Sequence, residues 1–166
     1  MTEPPFTSAS FYQFLNQHRL MGSRCAKDGQ VYLPPRAMCP ADFGADMEWV
    51  ELSGRGTLAA FSIIAIGPSP MIAAGYDRQN PYCAAIIALD EGPQISAQLL
   101  GVDVHHPDTI QIGMPVMVEF VERGEQAFLA FRPVVPGGFN PQASPLPSIS
   151  ITHPGPRTNK RNLHPR

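Results

Sequence analysis

From residue 49 onward the apolar residues fall into short runs. Trp49–Ser53, Thr57–Ile66, Cys83–Asp90, Ile95–Leu100, Val116–Arg123 and Ala127–Arg132 are rich in β-branched, aromatic and aliphatic side chains, the texture of strands. Between them stand Gly54-Arg55-Gly56, the long Gly67–Tyr82 segment, Glu91-Gly92-Pro93, the Gly101–Gly113 segment and Gly124-Glu125, which read as turns and loops. About five short strands in roughly 85 residues, with uneven loops and no helix between them, predict a small closed barrel over residues 49–132. The five-stranded OB-fold is the barrel of that size.

Ahead of the strands the period changes. Over residues 7–22, Phe11, Phe14 and Leu15 share one helical face, Ser8 or Ser10 is placed to cap it, and Gly22 to stop it. This predicts an N-terminal helical segment within 1–22. A helix so short is not stable by itself, so its aromatic face must pack on its own domain or on a partner.

Residues 23–48 carry the most pointed chemistry. Cys25-Ala26-Lys27-Asp28 and Cys39-Pro40-Ala41-Asp42 each hold two ligand-type residues across a two-residue gap. That spacing lets a tight turn present two ligands to one tetrahedral ion. Val31-Tyr32-Leu33 reads as a brief strand between the knuckles and Pro34-Pro35-Arg36 as a stiff turn back, so a hairpin brings the two face to face. The second ligand of each knuckle is Asp, whereas structural zinc is normally closed by Cys and His. Cys25, Asp28, Cys39 and Asp42 are therefore a degenerate zinc-ribbon set. The ribbon is expected to stand without metal, packed around Tyr32, Leu33, Phe43 and Trp49, with a Cys2Asp2 zinc site as the alternative.

Composition adds limits. The chain has 19 Pro and 14 Gly among 166 residues and only 16% charged residues, which suits a turn-rich β domain with an unstructured end. Residues 133–166 lose all periodicity and read as a disordered, Pro-rich tail; Arg157, Lys160, Arg161 and Arg166 make it basic. All 14 acidic residues lie in residues 1–132, so the body is acidic and a poor match for a nucleic-acid backbone. No stretch is long and apolar enough to span a membrane, and the N-terminus lacks the basic and apolar regions of a signal peptide. Three Cys, two of them in the knuckles, make no disulfide framework, and a cytoplasmic protein is expected.

Other motifs fail in context. Gly54-Arg55-Gly56-Thr57-Leu58-Ala59 matches a dinucleotide-binding pattern, but a strand-like run follows where a helix is required. His105-His106 has no ligand-like spacing and reads as solvated loop, Cys83 as a buried strand thiol, and Asp90-Glu91 as part of a hairpin turn. No nucleophile–base set is visible, so no catalytic residue is expected.

Taken in order, the residues carry a resemblance. The aromatic helix, Arg24-Cys25, Pro34-Pro35-Arg36 before Cys39-Pro40, Trp49, Ser53-Gly54-Arg55-Gly56-Thr57, and Pro81-Tyr82 leading a strand into Leu89-Asp90-Glu91-Gly92 are similar to the rubredoxin-type zinc-ribbon/OB-fold family associated with acyl-CoA metabolism. The resemblance covers about residues 8–132 and departs at Asp28 and Asp42, where the family pattern has Cys. It implies a helix, a ribbon and a C-terminal OB barrel. It also implies a non-catalytic scaffold subunit beside a thiolase-fold or related enzyme, helping to bind or channel an acyl-CoA shared with that partner. Arg24, Lys27, Arg36 and Arg55 are the cations nearest the ribbon–barrel junction and the candidates for CoA phosphate contacts. The helix face and the Ile66–Ile72 loop are candidate partner surfaces. A single-stranded nucleic-acid-binding OB protein is the alternative, disfavoured by barrel strands that carry aliphatic residues and acid rather than aromatics interleaved with cations.

Overall fold

A computed structural model of the chain describes residues 3–135. From residue 136 on, the expected tail lies outside the described residues. The elements are α1 (Ser8–Asn16), β1 (Met21–Cys25), β2 (Val31–Tyr32), β3 (Met47–Glu51), β4 (Arg55–Ile64), α2 (Ser69–Ala73), β5 (Tyr82–Leu89), β6 (Gln94–Leu99), a 3-10 turn (Pro107–Thr109), β7 (Pro115–Arg123) and β8 (Gln126–Pro133). The protein is mainly β, with an N-terminal helix, a ribbon and a closed barrel.

Helix α1 starts where Thr7 caps it, its Oγ1 accepting the Ser10 N–H at 3.2 Å. It ends at Asn16, six residues short of the expected Gly22 stop. His18 takes a left-handed conformation (φ 56°), while the N–H groups of His18 and Arg19 bond back to the Leu15 and Phe14 carbonyls. This is the bonding of a glycine-type helix terminus with histidine in the glycine's place, which is why the residues alone conceal it. Gly22 has a different task inside β1. A Cβ there would sit 2.9 Å from the Tyr32 carbonyl oxygen, so the close pairing of β1 and β2 requires glycine.

Strands β2, β1 and β3 form a three-stranded antiparallel sheet in that order. The run around Trp49, expected as barrel, thus belongs to the ribbon sheet, with Trp49 paired to Ser23. The barrel closes in the order β4-β5-β6-β8-β7, all neighbours antiparallel except the short parallel β6–β8 seam. A bulge between Leu58 and Ala60 lets β4 bend and pair with both β5 and β7. In β5, buried Cys83, Ala85, Ile87 and Leu89 alternate with half-buried residues.

Helix α1 joins the two sheets. Leu15, 2% exposed, enters the barrel core, and Asn16 Oδ1 accepts the Ala127 N–H at 2.8 Å. On the other side the Phe14 ring meets Trp49 edge-on at 4.9 Å, and Phe6 stacks on the same indole at 4.6 Å. The aromatic face expected to be free for a partner is therefore occupied within the chain. Of the large hydrophobic side chains of α1 only Tyr12 is exposed.

Two segments that carried the resemblance meet at the ribbon–barrel junction. Glu91 Oε1 accepts the Ser53 N–H at 2.6 Å, and the Asp90 N–H donates to the Arg55 carbonyl at 3.0 Å. Gly54 (φ 73°) lies against Val118, where a Cβ would come within 2.1 Å of its Cγ1. The β5–β6 turn thereby fixes the linker that leads into the barrel.

Candidate metal centre

The two knuckles fold by the same local rule. In each, the carbonyl of the Cys accepts the N–H four residues on (Gly29 to Cys25, Phe43 to Cys39, both 2.9 Å). In each, the Asp Oδ1 accepts the N–H two residues on, Asp28 from Gln30 and Asp42 from Gly44, again at 2.9 Å. The residue after each Asp is left-handed: Gly29 at φ 73° and Phe43 at φ 56°. Aspartate is well suited to this turn, since its carboxylate closes the loop that a metal-bound thiolate would otherwise tie.

The structure brings three of the four sequence-predicted ligands together. Cys25 Sγ, an Asp28 carboxylate oxygen and Cys39 Sγ all lie within 4.8 Å of one another, with both cysteines buried. Cys39 Sγ lies 3.8 Å from Asp28 Oδ2 and 3.6 Å from the Tyr32 hydroxyl. Asp42 is outside this group of three. Its Oδ2 bonds the Lys27 ammonium at 3.0 Å, and Asp46 approaches the same ammonium at 3.7 Å.

Charge states follow from these contacts. The Asp28 and Lys27 backbone N–H groups pull the Cys25 thiol down, but burial and the Cys39 and Asp28 side chains outweigh them, and it sits above its ordinary value. The bond to Cys39, aided by burial, pushes the Tyr32 phenol up to about 12. The Gly44 N–H and then Lys27 hold the Asp42 carboxyl below the usual range, and Asp42 in turn raises Lys27. A closed structural zinc site needs four soft or borderline ligands converging on one point. Two thiols, one carboxylate and a second carboxylate bound to an ammonium do not fit that requirement.

The four candidate CoA cations are spread over the ribbon and the barrel entry. Arg24 pairs with Glu48 at 3.0 Å, and Lys27 is engaged as described. Arg36 and Arg55 are exposed and form no ion pair among the described residues. Beside Arg36, Met38 and Phe43 are 53% and 77% exposed and line a shallow apolar recess with Pro40. Sequence reasoning missed Lys27 as a clasp, and Phe43, expected in the packing of the ribbon, is instead an exposed tip because its left-handed turn position carries the ring outward. A groove of about 370 Å³ on the barrel wall, rimmed by Gln98 and Arg123, was also missed. There Gln98 bonds both Arg123 and Tyr76, residues far apart in the chain.

The remaining motifs stay apart from any site. His105 and His106 are exposed, with Asp103 bonding the His106 ring at 2.8 Å. Cys83 is buried inside the barrel, its thiol pushed up to about 11 by burial.

Comparison with known proteins gives matches to the ribbon region and to most of the barrel. Residues 13–48 match the model "ChsH2, rubredoxin-like zinc ribbon domain" and residues 49–121 match "ChsH2, C-terminal OB-fold domain". A DUF35 domain-containing scaffold protein of Pyrococcus furiosus is 31% identical over 142 residues, covering 81% of this chain and 98% of that one. The chain belongs to the DUF35 family. A probable enoyl-CoA hydratase alpha subunit of Thermomonospora curvata is 32% identical over 78% of this chain, which spans only 38% of that relative's length. Benzoylsuccinyl-CoA thiolase subunit BbsA of Thauera aromatica is 40% identical over 82 residues, 49% of this chain and 52% of that one. Among solved structures, a chain of the Ltp2-ChsH2(DUF35) aldolase superimposes with a TM-score of 0.66 at 29% identity, covering 81% of this chain and all of that one.

Proposed function

We propose that this DUF35 protein is a non-catalytic accessory subunit that docks on a thiolase-fold or related acyl-CoA enzyme and assists in holding or passing the CoA ester. One observation carries the reading: the chain spans 98% of a relative named a scaffold protein, but only about half or less of the two relatives named as enzyme subunits. The chemistry agrees with it. Cys83 is buried with a raised pKa, a poor nucleophile. Arg36 and Arg55 keep their charge for a ligand, so they, rather than Arg24 and Lys27, are the side chains assigned to CoA phosphate. The apolar tip of Met38 and Phe43 beside Arg36, and exposed Ile66 and Ile72 on the barrel loop, are surfaces on which a protein partner gains apolar burial. No helix among the described residues is long and apolar enough to cross a membrane, and the proposed setting is the cytoplasm.

The test is a pull-down of tagged full-length chain from native extract at low and moderate salt, with mass spectrometry of the captured proteins. The expected result is a thiolase-fold or related acyl-CoA enzyme in stoichiometric amount, whose turnover of an acyl-CoA rises on adding this subunit. Recovery of nucleic acid, or turnover by this chain alone, overturns the proposal.

A further inference from the structure

We propose that Lys27 is the resident cation of the knuckle pair: its ammonium takes the carboxylate that would complete a metal site, so the ribbon closes on an internal charge and not on zinc. The argument begins with symmetry. Both aspartates spend Oδ1 on the turn N–H two residues ahead, so each knuckle keeps its shape without an ion. Their second oxygens then diverge. Asp28 Oδ2 lies 3.8 Å from Cys39 Sγ, whereas Asp42 Oδ2 bonds the Lys27 ammonium at 3.0 Å.

Lys27 is well placed for this. It sits between Cys25 and Asp28 in the first knuckle and reaches across to Asp42 and Asp46 of the second, linking the two elements that zinc would link. Gly44 makes room for the meeting. A Cβ there would lie 3.1 Å from Lys27 Nζ and from both Asp42 carboxylate oxygens, tighter than ordinary contact. The pair is half exposed, and exposed ion pairs stabilise little. Lys27 is therefore not what keeps the ribbon folded; the clamp of Phe6 and Phe14 on Trp49, and Leu20, Leu33 and Leu52 entering the barrel's core, do that. What Lys27 controls is which cation the second knuckle accepts. A divalent ion must detach Asp42 from the ammonium and then tolerate a positive charge beside it.

Cobalt(II) titration of the reduced full-length chain tests this directly, through the thiolate-to-metal absorption band of bound cobalt and through direct metal analysis of the purified protein. Wild-type protein is expected to carry well under one equivalent of zinc and to bind cobalt weakly. Lys27→Met and Lys27→Gln should tighten cobalt binding at least tenfold by freeing Asp42, while Lys27→Arg, which keeps the charge, should stay like wild type. Adding Asp42→Asn to Lys27→Met should cancel the gain. Circular dichroism confirms that each variant is folded, and having both neutral variants keeps the test alive if one fails. Equal cobalt affinity for wild type and both neutral variants overturns the proposal. So does wild-type protein that retains one equivalent of zinc through chelation.

Discussion

The barrel buries Leu58, Ile87, Val116 and Phe131 almost completely inside a closed ladder of five strands, whereas the ribbon's own interior amounts to Cys25, Cys39 and Met47 with Phe6 and Tyr32 leaning on them. So small an apolar cluster contributes little compared with the entropy of ordering the knuckles. The ribbon is accordingly held from outside itself. Trp49 is clamped by Phe6 and Phe14, Leu20, Leu33 and Leu52 enter the same core as the barrel, and Glu91 grips the linker at Ser53. The difference teaches that burial decides the barrel's fate, while turn chemistry and charge tune the ribbon.

Removing the largest buried barrel side chain is the severest way to probe this contrast. Phe131→Ala should cost about 3–5 kcal/mol, from lost transfer energy and an unfilled cavity. Urea denaturation followed by tryptophan fluorescence reports it through Trp49, which lies in the ribbon sheet. If the ribbon depends on the barrel, both unfold in one transition. A ribbon signal that stays at its wild-type midpoint while the barrel melts breaks the comparison.

Leu15→Ala addresses the strut between the regions and should cost about 2–4 kcal/mol, since this 2% exposed side chain plugs the barrel from α1. The helix also carries Phe14 against Trp49, so the near-ultraviolet signal of the indole should weaken under native conditions in the same variant. A purely local effect on the barrel would leave that signal unchanged.

These two regions also differed in how openly the residues declared them. The barrel strands were legible because β-branched, aromatic and aliphatic residues gather in them in short runs, as in Cys83-Ala84-Ala85-Ile86-Ile87-Ala88-Leu89, and because glycine turns bound them. Strand β1 was hidden because Gly22 looks like a helix stop when only spacing is considered, while the residue that stops α1, His18, is not one that ordinarily does so. Trp49 was read with the barrel because a strand's run does not name the sheet it joins. At the knuckles, residue spacing proposed four ligands but is blind to an intervening lysine. Nothing in Cys25-Ala26-Lys27-Asp28 says that the lysine reaches Asp42, because that contact exists only once two segments are folded together.

Alkaline titration sharpens the barrel half of the contrast. Burial raises the Cys83 thiol from its ordinary 9 to about 11. The folded state thus disfavours the thiolate, so this residue's contribution is intact below about pH 9 and is lost as pH rises toward 11. Thermal melts across that window should fall more steeply for wild type than for Cys83→Ala, whose barrel has no thiol to ionise. Identical slopes would show that Cys83 ionises as easily in the barrel as in the unfolded chain.

Phe43→Gly carries the smallest expected change, and its sign is the informative part. The residue is left-handed at φ 56° in the position that Gly29 occupies in the first knuckle, and its ring is 77% exposed. A non-glycine residue there costs roughly 1 kcal/mol of backbone strain, and so exposed a ring recovers little of it by burial within the chain. The substitution should therefore raise stability by up to about 1 kcal/mol, less whatever the glycine adds to the flexibility of the unfolded chain. An exposed aromatic held at such a cost is consistent with a role in contact outside the chain. Pairing the melt with the pull-down separates the two effects: higher stability with loss of the captured enzyme places the ring in the partner contact. Lower stability would mean that the Phe43 side chain supports the knuckle, and the likeness drawn between the two turns would fail.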